Sequence, residues 1–147
     1  MNSKLVYLVQ TDTTVGFSST DDEKLSTLKK RPTTQKILQV VDSFTTLKQF
    51  TRIPKKHKKL IRKAKKTTFI YPNTHSFRVI PKDDKFYDFV KKFKNIYSTS
   101  ANITTKNFDK EFAINSADIV VETKEGFSET TSSSIYLLKK TKLRKIR

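Results

Sequence analysis

Only two glycines, Gly16 and Gly126, stand in a chain of 147 residues, and there is no cysteine. Glycine is the residue that lets a backbone turn through positive φ or come close to a ligand. A phosphate-binding GxxxxGK[ST] loop or a GxGxxG fingerprint needs several glycines within a few residues, and these two are far apart. Disulfides and thiolate-held metals are excluded as well. If such a chain holds a nucleotide or another anion, it must do so with side-chain cations and hydroxyls.

The charge makes that reading concrete. Lys and Arg number 31 against 14 acids, a formal charge of +17. Such an excess suits nucleic acid or nucleotides, although a general bias toward Lys, Asn and Phe produces the same total, so clustering has to carry the argument. The longest apolar run is LVYLV (5–9), too short to span a membrane. Residues 1–20 show neither the charged start nor the long apolar centre of a signal peptide. A soluble, cytoplasmic protein of one domain is expected.

Local patterns predict alternating strands and helices. Residues 4–10 read as a strand, and Thr20 to Glu23 has the spacing of a capping box for a helix to about Lys30. KILQVV (36–41) is expected as a second strand, Ser43–Phe50 as a helix, and Pro54 as the first residue of a helix to about Lys66. TTFIY (67–71) and SFRVI (76–80) flank a turn at YPNTH. Phe86, Phe89, Val90 and Phe93 fall at i, i+3, i+4, i+7, a helical stripe facing a core. IYSTS, DIVVE (118–122), SIYLL (134–138) and the KLRKIR tail read as strands, with a short helix over 109–114. Adjacent strand signals in the middle and near the end imply a mixed sheet with flanking helices, an α/β chain.

Four polar patches punctuate these elements. QTDTTVG follows the first strand and reads as a strand-to-helix loop or as a row of hydroxyls for a small polar ligand. LKKRP (28–32) ends a helix, where cations complement the dipole; the same cations could clamp a triphosphate, Arg31 gripping two oxygens at once. STSAN (98–102) and SETTSSS (128–134) are small, polar and loop-like. Separately, RIPKKHKKLIRKAKK (52–66) carries nine Lys or Arg and no acid. On a helix, His57, Leu60, Ile61 and Ala64 would form its apolar stripe. Lys55, Lys56, Lys59, Arg62, Lys63 and Lys66 would then face solvent or a nucleic-acid backbone. His57 and His75 have no acidic cluster nearby, so no dedicated metal site is expected.

In order, QTDTTVG, KKRP, STSAN, SSSIY and KIR resemble the pattern of the YrdC-like threonylcarbamoyl-adenylate synthases, over residues 6–147. The resemblance implies an open twisted α/β sheet around a basic cavity. It implies an enzyme that takes L-threonine, bicarbonate and ATP to threonylcarbamoyl-AMP and pyrophosphate, with Mg²⁺ carried in on ATP. The product would pass to tRNA threonylcarbamoyl-transferase proteins. Position by position, Thr11, Thr13, Ser100 and Ser133 would serve threonine. Lys29 and Arg31 would be catalytic at the phosphates. Lys30, Thr68, Ser98, Asn102 and Arg147 (or Arg144) would join them at ATP. Gln10 stands where the family has Pro, Ala64-Lys65-Lys66 replaces a Pro-Gly-Pro segment, and Thr104-Thr105 replaces Ser-Gly. The alternative reading is an RNA-binding module of the same fold, holding tRNA or double-stranded RNA with little catalysis.

Overall fold

The computed structural model describes residues 4–102 and 106–147; Thr104-Thr105 lies outside the described residues. β1 (Tyr7–Gln10) and β2 (Val15–Ser19) are followed by α1 (Asp22–Leu28), β3 (Gln39–Val41) and α2 (Phe44–Phe50). A 3-10 turn (Lys55–His57) leads into α3 (Lys58–Lys63), then β4 (Thr67–Ile70), β5 (Ser76–Val79), α4 (Tyr87–Phe93) and β6 (Asn95–Ser100). α5 (Lys110–Ser116), β7 (Ile119–Val121), β8 (Ser134–Leu138) and β9 (Leu143–Lys145) complete the described elements. The strands form one open mixed sheet in the order β7-β1-β2-β6-β3-β5-β4-β8-β9. The α/β class expected from the sequence holds.

Strand parity explains where the helices go. In β1 and the residue before it, Val6 and Leu8 pack with Leu25 of α1 and Ala113 of α5, while Tyr7 and Val9 pack with Phe86, Phe89 and Val90 at α4. The apolar run is therefore buried on both faces, as a central strand requires. The same alternation sends Val40 toward α4 and Val41 toward Leu47 of α2 and Ile61 of α3. Four helices thus cover one face, and among the described residues α4 alone packs on the other. Beyond α4, this second face changes chemistry: Ile96 is core, but Ser98 and Ser100, two and four positions on, are small and polar. That uncovered stretch of sheet becomes the floor of a cavity.

Several expectations are corrected. Residues 10–19 do not run from strand to helix: β1 and β2 form an antiparallel hairpin with Gln10 opposite Val15. The alternation of Val15 and Phe17 was the available signal. The cap of α1 is Asp21, whose carboxylate accepts from Lys24 N at 3.1 Å, one residue past Thr20. The 36–41 strand shortens to 39–41, and the helix expected from Pro54 to Lys66 divides into the 3-10 turn and the six residues of α3. Leu60 is 44% exposed, outside the apolar stripe that His57 and Ile61 do form.

Candidate active site

A cavity of about 290 Å³ opens on the uncovered face of the sheet. The hairpin turn, the end of α1, the ends of β4, β5 and β6, and the segment before β8 all reach it. Four cations line it, Arg31, Lys36, Arg78 and Arg147, with ten serine or threonine residues and no carboxylate. Thr11, Thr13, Arg31, Thr68, Ser98, Ser100, Ser133 and Arg147, all singled out from the sequence, come together here from distant parts of the chain.

Each wall has a local cause. At the hairpin, the Thr11 hydroxyl accepts from Thr13 N (3.2 Å) and Thr14 N (3.1 Å) and donates to Thr14 O. It builds the turn, as short hydroxyl side chains do, while Thr13 sits beside it at 3.4 Å. Gly16 lies against Thr99 of β6. A Cβ there would meet Thr99 O at 2.9 Å and Thr11 Cγ2 at 3.0 Å, so the glycine permits close approach of two strands at the cavity floor.

Helix α1 ends in a Schellman motif. Arg31 N donates to Ser26 O (2.8 Å) and Lys30 N to Thr27 O (3.1 Å), with Lys30 at φ 54. The reversal aims Arg31 into the cavity and leaves Lys30 exposed and outside the lining. Lys29, 5% exposed, also does not line the cavity. Its ammonium donates to Ser100 O (2.8 Å), to Asn102 O and to Asn102 Oδ1 (3.1 Å), fastening α1 to the end of β6. Burial, and secondarily Arg31, pull its pKa down to about 8. Asn102 lies one step away, lining an adjoining hollow with Ser100 and Lys106.

The far wall is a relay of polar groups. Arg147 donates through Nε to Ser133 O (3.0 Å) and through Nη2 to Ser133 Oγ (3.3 Å). Ser133 Oγ meets Thr68 Oγ1 at 3.0 Å, and Thr68 accepts from Arg78 Nη1 at 3.2 Å. Arg78 in turn pairs with Asp12, Nη2 to Oδ1 at 2.9 Å. Sequence reading missed Arg78, which is 4% exposed. Its signal was present: in SFRVI, Phe77 packs in the helix-covered core, so Arg78 must point to the opposite face. Burial raises the pKa of the Asp12 carboxyl, with Arg78 opposing. A guanidinium stays protonated even here.

The predicted RNA-contact residues lie elsewhere. Lys55, Lys56, Lys59, Arg62, Lys63 and Lys66 are all exposed, none lines the cavity, and Arg62 sits over the Phe44 ring at 4.5 Å. Among the described residues no group of three His, Asp or Glu could hold a metal ion, and no helix is long and apolar enough to cross a membrane.

The fold has counterparts among solved structures. P. abyssi Sua5 complexed with L-threonine superposes with a TM-score of 0.82 over 99% of this chain, at 15% identity. The fold is YrdC-like. The chain spans about half the length of that Sua5, 51%. MTH1692 from Methanobacterium thermoautotrophicum (TM-score 0.72, 18% identity) covers 100% of this chain, which spans 81% of it. E. coli YciO (0.76, 12%) covers 98%, with 82% of its own length matched. No family model matches the sequence, and no curated protein matches it. The YrdC-like sheet therefore persists here with little shared sequence, which is what parity and face-specific burial allow.

Proposed function

We propose that the cavity makes L-threonylcarbamoyl-AMP and pyrophosphate from L-threonine, bicarbonate and ATP, an adenylyl transfer that feeds threonylcarbamoyl-adenosine formation in tRNA. The observation that carries this reading is a single hollow holding four cations and ten hydroxyls and no carboxylate. Its volume suits small polar metabolites rather than a macromolecule. The L-threonine bound to the structurally similar P. abyssi Sua5 supports an amino acid as one substrate.

In this mechanism the threonine amine and bicarbonate condense to a carbamate with loss of water. A carbamate oxygen attacks the α-phosphorus of ATP, the bond to the bridging oxygen breaks, and pyrophosphate leaves with that electron pair. No side-chain nucleophile is needed; alignment and positive charge suffice. Arg31 and Arg147 would grip phosphate oxygens, and Thr13, Ser100 and Ser133 would hold the threonine end. Lys29 acts as a positioning residue, fixing the backbone of Ser100 and Asn102. Mg²⁺ would enter as a substrate ion on the ATP phosphates. The test is pyrophosphate release by the purified chain, expected only with threonine and bicarbonate together. Release that ignores either one, or none at all, removes the reading.

A second reading keeps the exposed cations in use. His57 Nε2 lies 3.2 Å from Lys139 O, joining the basic 55–66 segment to the Lys-rich β8–β9 turn. That continuous surface would suit the backbone of tRNA or double-stranded RNA. Affinity should then fall with a slope near one unit of log K per phosphate contact as log salt rises.

A further inference from the structure

The four cations of the first cavity stand at different depths. Arg78 is buried and Arg31 half-buried, while Arg147 and Lys36 are exposed. Thr13 and Ser133, two of the hydroxyls that suit threonine, are buried. Lys36 therefore belongs to the open end of the hollow, on the irregular stretch between α1 and β3. Polar motifs in the chain did not point to it, because a single lysine beside Ile37 and Leu38 reads as the start of a strand.

Lys36 is held at root and tip. Ile37, the next residue, packs in the core with Leu25 of α1, and Leu38 O accepts from Ser98 N at 2.9 Å. These contacts fix the backbone that carries the lysine. Its ammonium reaches across to the β4–β5 turn and donates to Thr74 Oγ1. Ser76, just beyond that turn, lines the cavity as well. Holding a long side chain in one place costs rotamer entropy, and a neutral hydroxyl offsets little of it. An ammonium has three donors, so two remain for an oxyanion in the hollow. Among the described residues no carboxylate pairs with Lys36, whereas the surface lysines Lys65 and Lys85 find Asp83 and Glu125.

We propose that Lys36 contacts the leaving pyrophosphate, taking a β- or γ-phosphate oxygen of ATP while its tether to Thr74 persists. The assignment rests on the adenylyl-transfer reading and extends it to the leaving group. In-line displacement sets the attacking carbamate oxygen and the α–β bridging oxygen on opposite sides of the α-phosphorus. With threonine among the buried hydroxyls, the β- and γ-phosphates point to the open end, where Lys36 stands. As the bond from the α-phosphorus to the bridging oxygen breaks, that oxygen keeps the electron pair. Pyrophosphate gains the negative charge, and an ammonium beside it stabilises that charge. A compact ammonium on a flexible stem can also follow the ion outward, which a guanidinium fixed in a wall cannot.

Calorimetric titration of the full chain with inorganic pyrophosphate, and separately with AMP, tests the contact. The wild type should bind pyrophosphate saturably. Lys36→Met should weaken that affinity by about fivefold, as for an exposed cation, and leave AMP affinity unchanged. In steady-state assays the same variant should lower kcat/KM for ATP by about tenfold, with KM for threonine unchanged. Lys36→Arg should restore most of both losses, which a merely structural role for the side chain would not predict. No pyrophosphate binding by the wild type, an unchanged affinity in Lys36→Met, or an equal loss for AMP overturns the assignment. The two readings fail separately. Absent pyrophosphate release beside Lys36-dependent pyrophosphate binding removes the adenylyl transfer and leaves the anion contact standing. Release that Lys36→Met does not alter removes Lys36 alone.

Discussion

The first cavity gathers Arg31, Lys36, Arg78 and Arg147 without a carboxylate, and a second hollow of about 580 Å³ gathers Asp12, Asp83, Asp84, Asp88 and Glu125 against Lys85 and Lys92. They share Thr11 as a lining residue, and the Asp12–Arg78 pair stands between them. Their floors differ in the same sense. Small hydroxyl side chains on β6 and β4 serve the first, while the Phe stripe of α4 serves the second. A net charge of +17 describes neither. What separates them is one buried ion pair, so charge is sorted here by position in the fold rather than by composition.

That boundary should be the most sensitive point in the molecule. Arg78→Met leaves the Asp12 carboxylate buried and unpaired, and chemical denaturation should show a loss of about 3–5 kcal/mol. The double variant with Asp12→Leu should recover most of it; no recovery would mean that the pair does not hold the two cavities apart. Arg31→Ala, inside the first cavity only, should lower pyrophosphate release by about 10²- to 10³-fold with the fold retained.

Lys29 offers a pH test at the edge of the first cavity. Its folded pKa is depressed from 10.5 to about 8, by burial first and Arg31 second. Between those values the unfolded chain binds more protons, so stability rises with pH from about 8 to 10.5, and the penalty is fully present below about 8. Denaturation midpoints of the wild type measured against Lys29→Met across that window should show the rise; a flat difference refutes it. The smallest effect belongs to Lys30, outside both cavities at φ 54. Lys30→Gly should raise stability by about 1 kcal/mol through relief of the left-handed backbone, with no change in pyrophosphate release.

Much of the site could be read in the chain because its residues sit where elements end. Thr11, Thr13, Arg31, Ser98, Ser100 and Ser133 stand in polar patches that interrupt clear apolar periodicities, and those interruptions map to one hollow. Arg78 escaped notice for the opposite reason. It lies inside an apolar run, where a single cation reads as noise until the sheet shows which face it occupies. β2 was missed because its hydroxyl-rich approach looks like loop, although Val15 and Phe17 carry the strand period. Lys29 and Arg31 are two residues apart, yet the Schellman turn at Lys30 sends one behind the cavity and the other into it.

Composition alone ruled out glycine-rich phosphate loops and thiolate sites, and periodicity placed most of the strands and helices. Those properties are local: they depend on residue type and on spacings of two or about four positions. Tertiary structure decided which face of the sheet stayed uncovered, which cations met there, and that Asp12 would stand between two hollows of opposite sign. Such outcomes depend on strand order and on burial across residues far apart in the chain, and a carboxylate's partner is set by that distance in space rather than along the sequence.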